Sequence, residues 1–325
     1  MYLEYYLKQL NYEIIPPFLD KYLSTPSLIR LKKISFFCGM DYASKKIYNF
    51  REYISRFDHS LTVALITYKL TNDKTATLAG LLHDISTPCF SHVIDYMNKD
   101  YIKQESTEKH TEKIIKKDKY LMKCLKEDNI KVKDVANFKK HTIVDNERPK
   151  LCADRIDGII LAGISWTKNL SKDEIKNIVS DLTVFKNEDK EDEIGFKMTK
   201  TAEKVVKINR ILDEYCKSKE DTYMMQLLAD ITQKAIDKGY IKYDDLYVYN
   251  EEYLLSLLKI QNDKEINDLF KKFQTISKKK IPNIELPEVK TRHLNPLVNN
   301  KRFDTLFTET FLKKLSQPLN KKNAE

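Results

Sequence analysis

Three of the six histidines in this chain fall within two short runs, RFDHSLTVALITYKL at 56–70 and LAGLLHDISTPCFSHVID at 78–95. His59, His83 and His92 each stand near an acid or a hydroxyl in text that is otherwise apolar. A third run, LCADRIDG at 151–158, adds Asp154. His59, His83, Asp84 and Asp154 offer two neutral imidazoles and two carboxylates, a ligand set suited to one borderline or hard divalent ion. Carboxylates buried in apolar surroundings are costly unless something neutralises them. A cation offsets both charges at once. It also acidifies a bound water and polarises a phosphoryl oxygen, so the chemistry these residue types suit is attack on a phosphate.

Helices must position them. Arg56 and His59 are three apart and share one face of a helix expected over about 54–70. His83 and Asp84 are adjacent, and adjacent side chains on a continuing helix diverge by about 100 degrees. They converge if the helix expected at 74–84 ends there, which Pro88 favours. Asp154 opens a helix after the break at Pro149. Asp154, Gly158 and Ala162 then form one stripe along it. Upstream, Thr25 or Ser27 is expected to cap a helix that starts LIRLKKISFFCG and ends at Gly39. A helix is expected near 90–98, exposed helix over 99–128 and irregular chain over 129–149. From 171 to about 280 the pattern is helical again, with a charged loop at 187–195. The tail from Pro282 is expected to run extended over the body, with room for a short hairpin.

Composition bounds the rest. Hydrophobic residues make up 42% and charged residues 32%, a globular balance rather than a disordered one. The net charge of +9 permits anionic partners, although a solvated helix surface explains it as well. The five cysteines are scattered with no CxxC pair, which predicts reduced thiols and a cytoplasmic protein. The start shows no leader-like text, and no run approaches the ~20 apolar residues of a membrane span.

RFDHSLTVA, LLHDISTPCFSHVIDYM and LCADRIDG resemble, in order and spacing, the motifs of the HD-domain phosphohydrolases. They are most similar to the branch containing the deoxynucleoside triphosphate triphosphohydrolases, which KTRHLNPL also resembles. The resemblance implies an all-α fold, an HD-domain helical core with a packed helical C-terminal region. The expected divisions are a lead-in at 1–27, the HD core at 28–170, helices at 171–281 and a Pro-containing tail at 282–325. His59, His83, Asp84 and Asp154 fall on the family's metal-ligand positions, implying one divalent ion (Mn, Fe, Mg, Ni or Zn). Arg56 falls where relatives contact phosphate. His92 and Asp95 match a second polar cluster beside the metal, although a core histidine bonded to a backbone carbonyl is the plainer reading of His92. Lys139, Lys140 and Arg148 are expected to form a positive rim. The implied partner is a phosphorylated small molecule of the nucleotide class, with nucleic acid as a further anion to consider and no membrane. The branch often forms oligomers, so a homodimer is expected.

The chain also departs from that branch. The motif His-Asp-x-Gly-His reads here with Thr87 in its last place. Thr107 stands where a histidine precedes an acid, with Glu108 kept and His110 nearby. Gly158 and Ala162 replace a tyrosine and an aspartate. A hydroxyl has no accessible pKa near neutrality and cannot shuttle a proton, so the cage looks intact while the triphosphohydrolase machinery looks reduced. Three readings follow. The first is a one-metal phosphohydrolase using metal-bound hydroxide, with His92–Asp95 or His110 supplying a proton. The second is an inactive binder or sensor of nucleotide or nucleic acid. The third is a two-metal phosphodiesterase with His92 or His110 as extra ligands. Elsewhere the expectations are ordinary: Asp157 a cap or ion-pair partner, Arg155 an ion-pair partner, His141 exposed, His293 structural, and Trp166 an anchor rather than a stacking surface.

Overall fold

The Arg56–Thr71 helix is the axis of the fold. The Ser55 hydroxyl accepts from the Asp58 N–H while the Asp58 carboxylate accepts from the Ser55 N–H, a reciprocal cap that sets the start. Its buried residues lie on every face, as expected of a helix enclosed by neighbours. This is a computed structural model describing residues 1–11, 15–104, 106–107, 110–308 and 310.

The Lys74–Leu82 helix, capped by Asp73, folds back along the axis helix. The two approach closely at Gly80, where an added Cβ would lie 3.3 Å from both Thr67 Oγ1 and Val63 Cγ1. The Ala153–Ser165 helix packs on another side of the axis helix, and the Tyr2–Gln9 helix packs in turn on it and on Lys172–Asp181. Two long helices, Thr199–Cys216 and Lys219–Asp237, follow, and the second packs on Val93–Met97. One continuous core runs from Leu3 to Phe303. The expected all-α class is what the structure shows. Among the described residues no helix is long and apolar enough to cross a membrane.

Four local expectations need correction. The text at 171–280 is not helical throughout. Strands β1 (Leu182–Lys186) and β2 (Asp192–Phe196) pair antiparallel, with Leu182 opposite Phe196 and Lys186 opposite Asp192. β3 (Leu297–Val298) joins β2 in parallel and β4 (Lys301–Arg302) joins β3 antiparallel. The charges at 188–192 that suggest a loop are the turn and the start of β2. Thr183, Val184 and Phe185 opposite Gly195, Ile194 and Glu193 supply the pleated pairing. Glu193 is fully buried there, bonded by Arg302 at 2.6 Å, and it also accepts from the Leu151 N–H at 3.2 Å. The small sheet therefore holds the chain just before Asp154.

The helix expected to run to Gly39 is only Pro26–Leu31, with Thr25 at its N-cap. Beyond it Ser35 bridges Ser55, and Cys38 and Gly39 take left-handed φ of 57° and 73°. The segment 129–149 is partly helical, over Val132–Ala136. The tail runs without regular structure from 282 to 296 and is tied down by Lys290 N–H to Tyr101 O and Asn295 N–H to Pro149 O. It ends in the short β3–β4 hairpin. The first residues are more than a lead-in, because the Tyr2–Gln9 helix delivers Tyr6 to the site below.

Candidate metal centre

His59 sits in the first turn of the axis helix. The Lys74–Leu82 helix ends at Leu82, so His83 caps it and Asp84 lies on the departing turn. His83 Nδ1 lies 2.7 Å from Gly80 O, and His59 Nδ1 lies 2.7 Å from Asp157 Oδ2. A carbonyl and a carboxylate can only accept, so each Nδ1 carries a hydrogen, and in the neutral ring, the form that binds a metal, each Nε2 is a bare lone pair. Those two Nε2 atoms are 3.2 Å apart. Asp154 Oδ1 lies 3.0 Å from the first and 3.6 Å from the second. Acceptors facing one point repel unless a cation lies among them. Ligand distances near 2.0–2.2 Å around one ion place neighbouring donors about 3–3.5 Å apart, which these separations match. The residues fit a divalent ion.

Asp84 enters on different terms. Its Oδ2 is 3.8 and 3.9 Å from the two Nε2 atoms and accepts from Arg56 Nη1 at 2.8 Å. Arg56, expected to meet phosphate, is thus committed to Asp84, and it also donates to Ser91 Oγ at 3.1 Å and Phe36 O at 3.4 Å. Ser91 and Phe90 hold left-handed φ of 50° and 62°. Each costs about 1–2 kcal/mol for a residue with a Cβ. Phe90 N–H to the buried Glu251 carboxylate and Ser91 Oγ to Ser35 O hold that turn in place.

The charges follow from burial and neighbours. Burial alone would raise the Asp84 carboxyl, but Arg56 and the two imidazoles outweigh it and hold it well below its ordinary range. Burial also acts on Asp154, and its bonds to His59 and His83 overcome it and hold that carboxyl down. Burial works against both imidazolium forms. The acids around them reverse that, so both sit above the ordinary imidazole value. The cluster attracts positive charge.

Asp157 does more than the expected capping or ion pairing. It is buried, its Oδ1 accepts from Tyr6 OH at 2.6 Å and its Oδ2 orients His59. Its spacing of three from Asp154 hinted at a shared face; Tyr6, far away in sequence, carried no signal. Arg155 bonds the carbonyls of Asn146 and Lys150 and stands 3.6 Å from Asp145. A second grouping, Asp145, Cys152 and Asp154, could also meet at one point. Arg155 already neutralises its acid, and burial pushes the Cys152 thiol up to about 12, so it is a poor second cation site.

Beside the cluster opens a cavity of about 960 Å³. Of the expected residues, Arg56, His59, His92, Lys139, Arg148 and Asp154 line it. Burial, then repulsion from Arg155 and Arg292, lowers Arg148 to about 10, which marks a positive field on this wall. Among the described residues the His92 ring is not bonded to a carbonyl. Its Nδ1 meets Asp95 Oδ2 at 2.8 Å, and the fully buried Asp95 also accepts from Ser106 N–H. Lys140 is not on the cavity wall. Nor is His110, whose ring stands edge-on to Tyr247 at 4.6 Å, where the Thr111–Lys117 helix begins. Thr87 and Thr107 are buried off the wall, and Glu108 lies outside the described residues. Gly158 and Ala162 do line the cavity, and a Cβ on Gly158 would meet only Phe36 Cζ at 3.8 Å. The shortened stripe leaves open room.

A helical frame whose helix ends gather histidines and aspartates around one point defines a class of metal-centred domain. Residues 56–158 match the model of the HD domain, and the chain carries an HD domain. An uncharacterized protein of Bacillus subtilis, YdhJ, is 30% identical over 112 residues, 32% of this chain and 32% of that one. The metal-dependent phosphohydrolase cns2 of Cordyceps militaris is 28% identical over 132 residues, 41% of this chain and 37% of that one. The matched stretch spans about a third of each relative.

Proposed function

We propose that this protein hydrolyses a phosphate ester, of the nucleotide class, at one divalent cation held by His59, His83, Asp84 and Asp154. The observation that carries the reading is the pair of bare Nε2 atoms 3.2 Å apart with Asp154 beside them. The HD domain supports it, as does the name of the Cordyceps relative, a metal-dependent phosphohydrolase. A bound divalent ion supplies Lewis acidity toward phosphoryl oxygen and a more acidic water. The chain's own residues do the remaining work. Asp157 and Gly80 O orient the two imidazoles, and Arg56 holds Asp84. Lys139 and Arg148 offer positive charge to the phosphate from the wall. Asp95 holds His92 Nδ1, leaving Nε2 as the atom that exchanges a proton with the leaving group.

Release of phosphate from a monoester suits the site better than release of triphosphate. Gly158 and Ala162 cannot grip a sugar or a polyphosphate, and Thr87 and Thr107 are off the wall. The test is elemental analysis of protein purified without chelator or affinity metal, followed by phosphate release from nucleoside mono-, di- and triphosphates. About one ion per chain and turnover of a monophosphate are expected. An ion without turnover under Mn, Mg, Fe, Co, Ni or Zn would leave a binder, and the hydrolase reading would fail.

A further inference from the structure

Away from the cation cluster the cavity wall changes character. A chain of rings leads there from His59: Phe36 at 4.9 Å, Phe37 at 5.2 Å, then Phe50 stacked at 4.4 Å and Tyr48 stacked at 5.6 Å. Trp166 packs across this wall, 6.0 Å from Phe37 and 6.2 Å from Phe50. All of them line the cavity. They are reached along the stripe Asp154, Gly158, Ala162, Trp166, in which Ala162 lies about 12 Å from Asp154 along the helix axis. That is the reach of an extended mononucleotide.

Polar groups stand among the rings. Asp221, from the first turn of Lys219–Asp237, is 8% exposed and also lines the cavity. Tyr48 OH donates to its Oδ1 at 2.6 Å. Among the described residues no other hydrogen bond and no ion pair engages this carboxylate. Burial lifts its carboxyl to about 7, which the Tyr48 bond and the Arg292 charge only partly offset. Arg292 lines the same end, on the tail strap. Its backbone is fixed by N–H to Asp213 Oδ1 at 2.8 Å and by Asn209 Nδ2 to its carbonyl at 2.6 Å. A buried acceptor and a guanidinium thus stand on one wall beside stacked rings with no ion pair between them. A buried carboxylate left with so few partners is expensive, and this one opens into a cavity.

We propose that this end of the cavity is a base-recognition subsite: a flat heteroaromatic ring rich in N–H donors packs against the partly exposed Phe50 and Trp166 rings, which Tyr48 backs, and donates to Asp221, which makes Asp221 a specificity-determining residue. The proposal deepens the nucleotide reading above and rests on it for the phosphate end. Contact with aromatic rings suits any base, whereas the carboxylate selects. Guanine presents two adjacent donors for it and a carbonyl oxygen for Arg292. Adenine and cytosine present an amino group. Uracil offers a single N–H flanked by carbonyls, which a carboxylate repels.

Trp166 is the chain's single tryptophan, so its fluorescence reports this wall alone. Titration of the intact protein with guanosine, adenosine, uridine and ribose 5-phosphate tests the subsite without any hydrolysis. Guanosine is expected to quench saturably, uridine to bind about tenfold or more weaker, and ribose 5-phosphate to leave the signal unchanged. Asp221→Leu is expected to weaken guanosine about tenfold and erase its preference over uridine, and Asp221→Asn, which keeps one acceptor oxygen, to recover part of it. The ranking in the unaltered protein stands independently of how the variants fold. The subsite is overturned if no nucleoside quenches, if guanosine and uridine bind alike, or if a folded Asp221→Leu protein binds guanosine unchanged. Quenching without turnover of any phosphate ester sinks the hydrolase reading and leaves the subsite. Turnover with no quenching does the reverse.

Discussion

The two ends of the cavity are made from different kinds of sequence. The cation end draws His59, His83, Asp84 and Asp154 from helix ends in three short runs, with charge in text that is otherwise apolar. The aromatic end draws Tyr48, Phe50, Trp166, Asp221 and Arg292 from separated places along the chain, and most of them look like ordinary core or surface. Charged groups among apolar ones announce themselves because burial without compensation is costly. A surface of rings does not, because aromatic residues fill cores everywhere.

The comparison breaks first at the cation end. His83→Ala or Asp154→Ala removes one of the converging acceptors, and the ion content should fall from about one per chain to near none, with phosphate release lost. Elemental analysis reads this directly, and guanosine quenching of Trp166 should survive. An unchanged ion content would separate these residues from the metal.

The aromatic end is sharpened by pH. The Asp221 carboxyl sits near 7 in the folded chain against an ordinary 3.8, facing Tyr48 and Arg292, with the Cys216 and Cys38 thiols nearby pushed up by burial. The folded chain therefore keeps a proton that the unfolded chain has already lost, and stability should decline as pH rises from about 4 to about 7. Asp221→Asn removes that titration. Denaturant melts at pH 4 and pH 7.5 should show a smaller decline in the variant, by at most about 4 kcal/mol. Equal declines would mean that Asp221 ionises as freely as an exposed acid.

A smaller effect is expected one bond behind the metal. Asp157→Asn keeps the shape but weakens the hold on His59 Nδ1–H, and cation affinity should fall about 10–100-fold. Calorimetric titration of the metal-stripped protein measures it. Smallest is Tyr6→Phe, which deletes one hydroxyl from Asp157 and should cost about 1–2 kcal/mol of stability, with a modest loss of cation affinity. If Tyr6→Phe weakened the ion as much as Asp157→Asn, the first helix would count as part of the metal site rather than as its support.

Much of the frame was legible. The helix expected over about 54–70, the one that ends where His83 and Asp84 must converge, and the one that Asp154 opens follow from periodicity and from the breaks at Pro88 and Pro149. The strands β1 and β2 were not legible, because the charged run between them reads as loop, and what anchors the hairpin, β3 alongside β2 and Arg302 on Glu193, comes about a hundred residues later. His110 and Lys140 read as site residues by nearness in sequence, yet stand off the cavity wall. The direction a side chain takes at a helix start or a tight turn is a matter of backbone geometry rather than spacing.

By itself the sequence determined that this chain is helical, that it gathers two histidines and two aspartates in apolar text, and that the stripe beyond Asp154 is small. Local rules suffice for these, since helix periodicity and the cost of buried charge act within a few turns. Only the tertiary structure decided that Arg56 belongs to Asp84, that Tyr6 and Asp157 brace His59, and that Tyr48, Trp166 and Asp221 share a wall. Those pairings join residues tens to hundreds of positions apart. They exist because packing one continuous core brings them within hydrogen-bond or van der Waals range, and no local pattern encodes that.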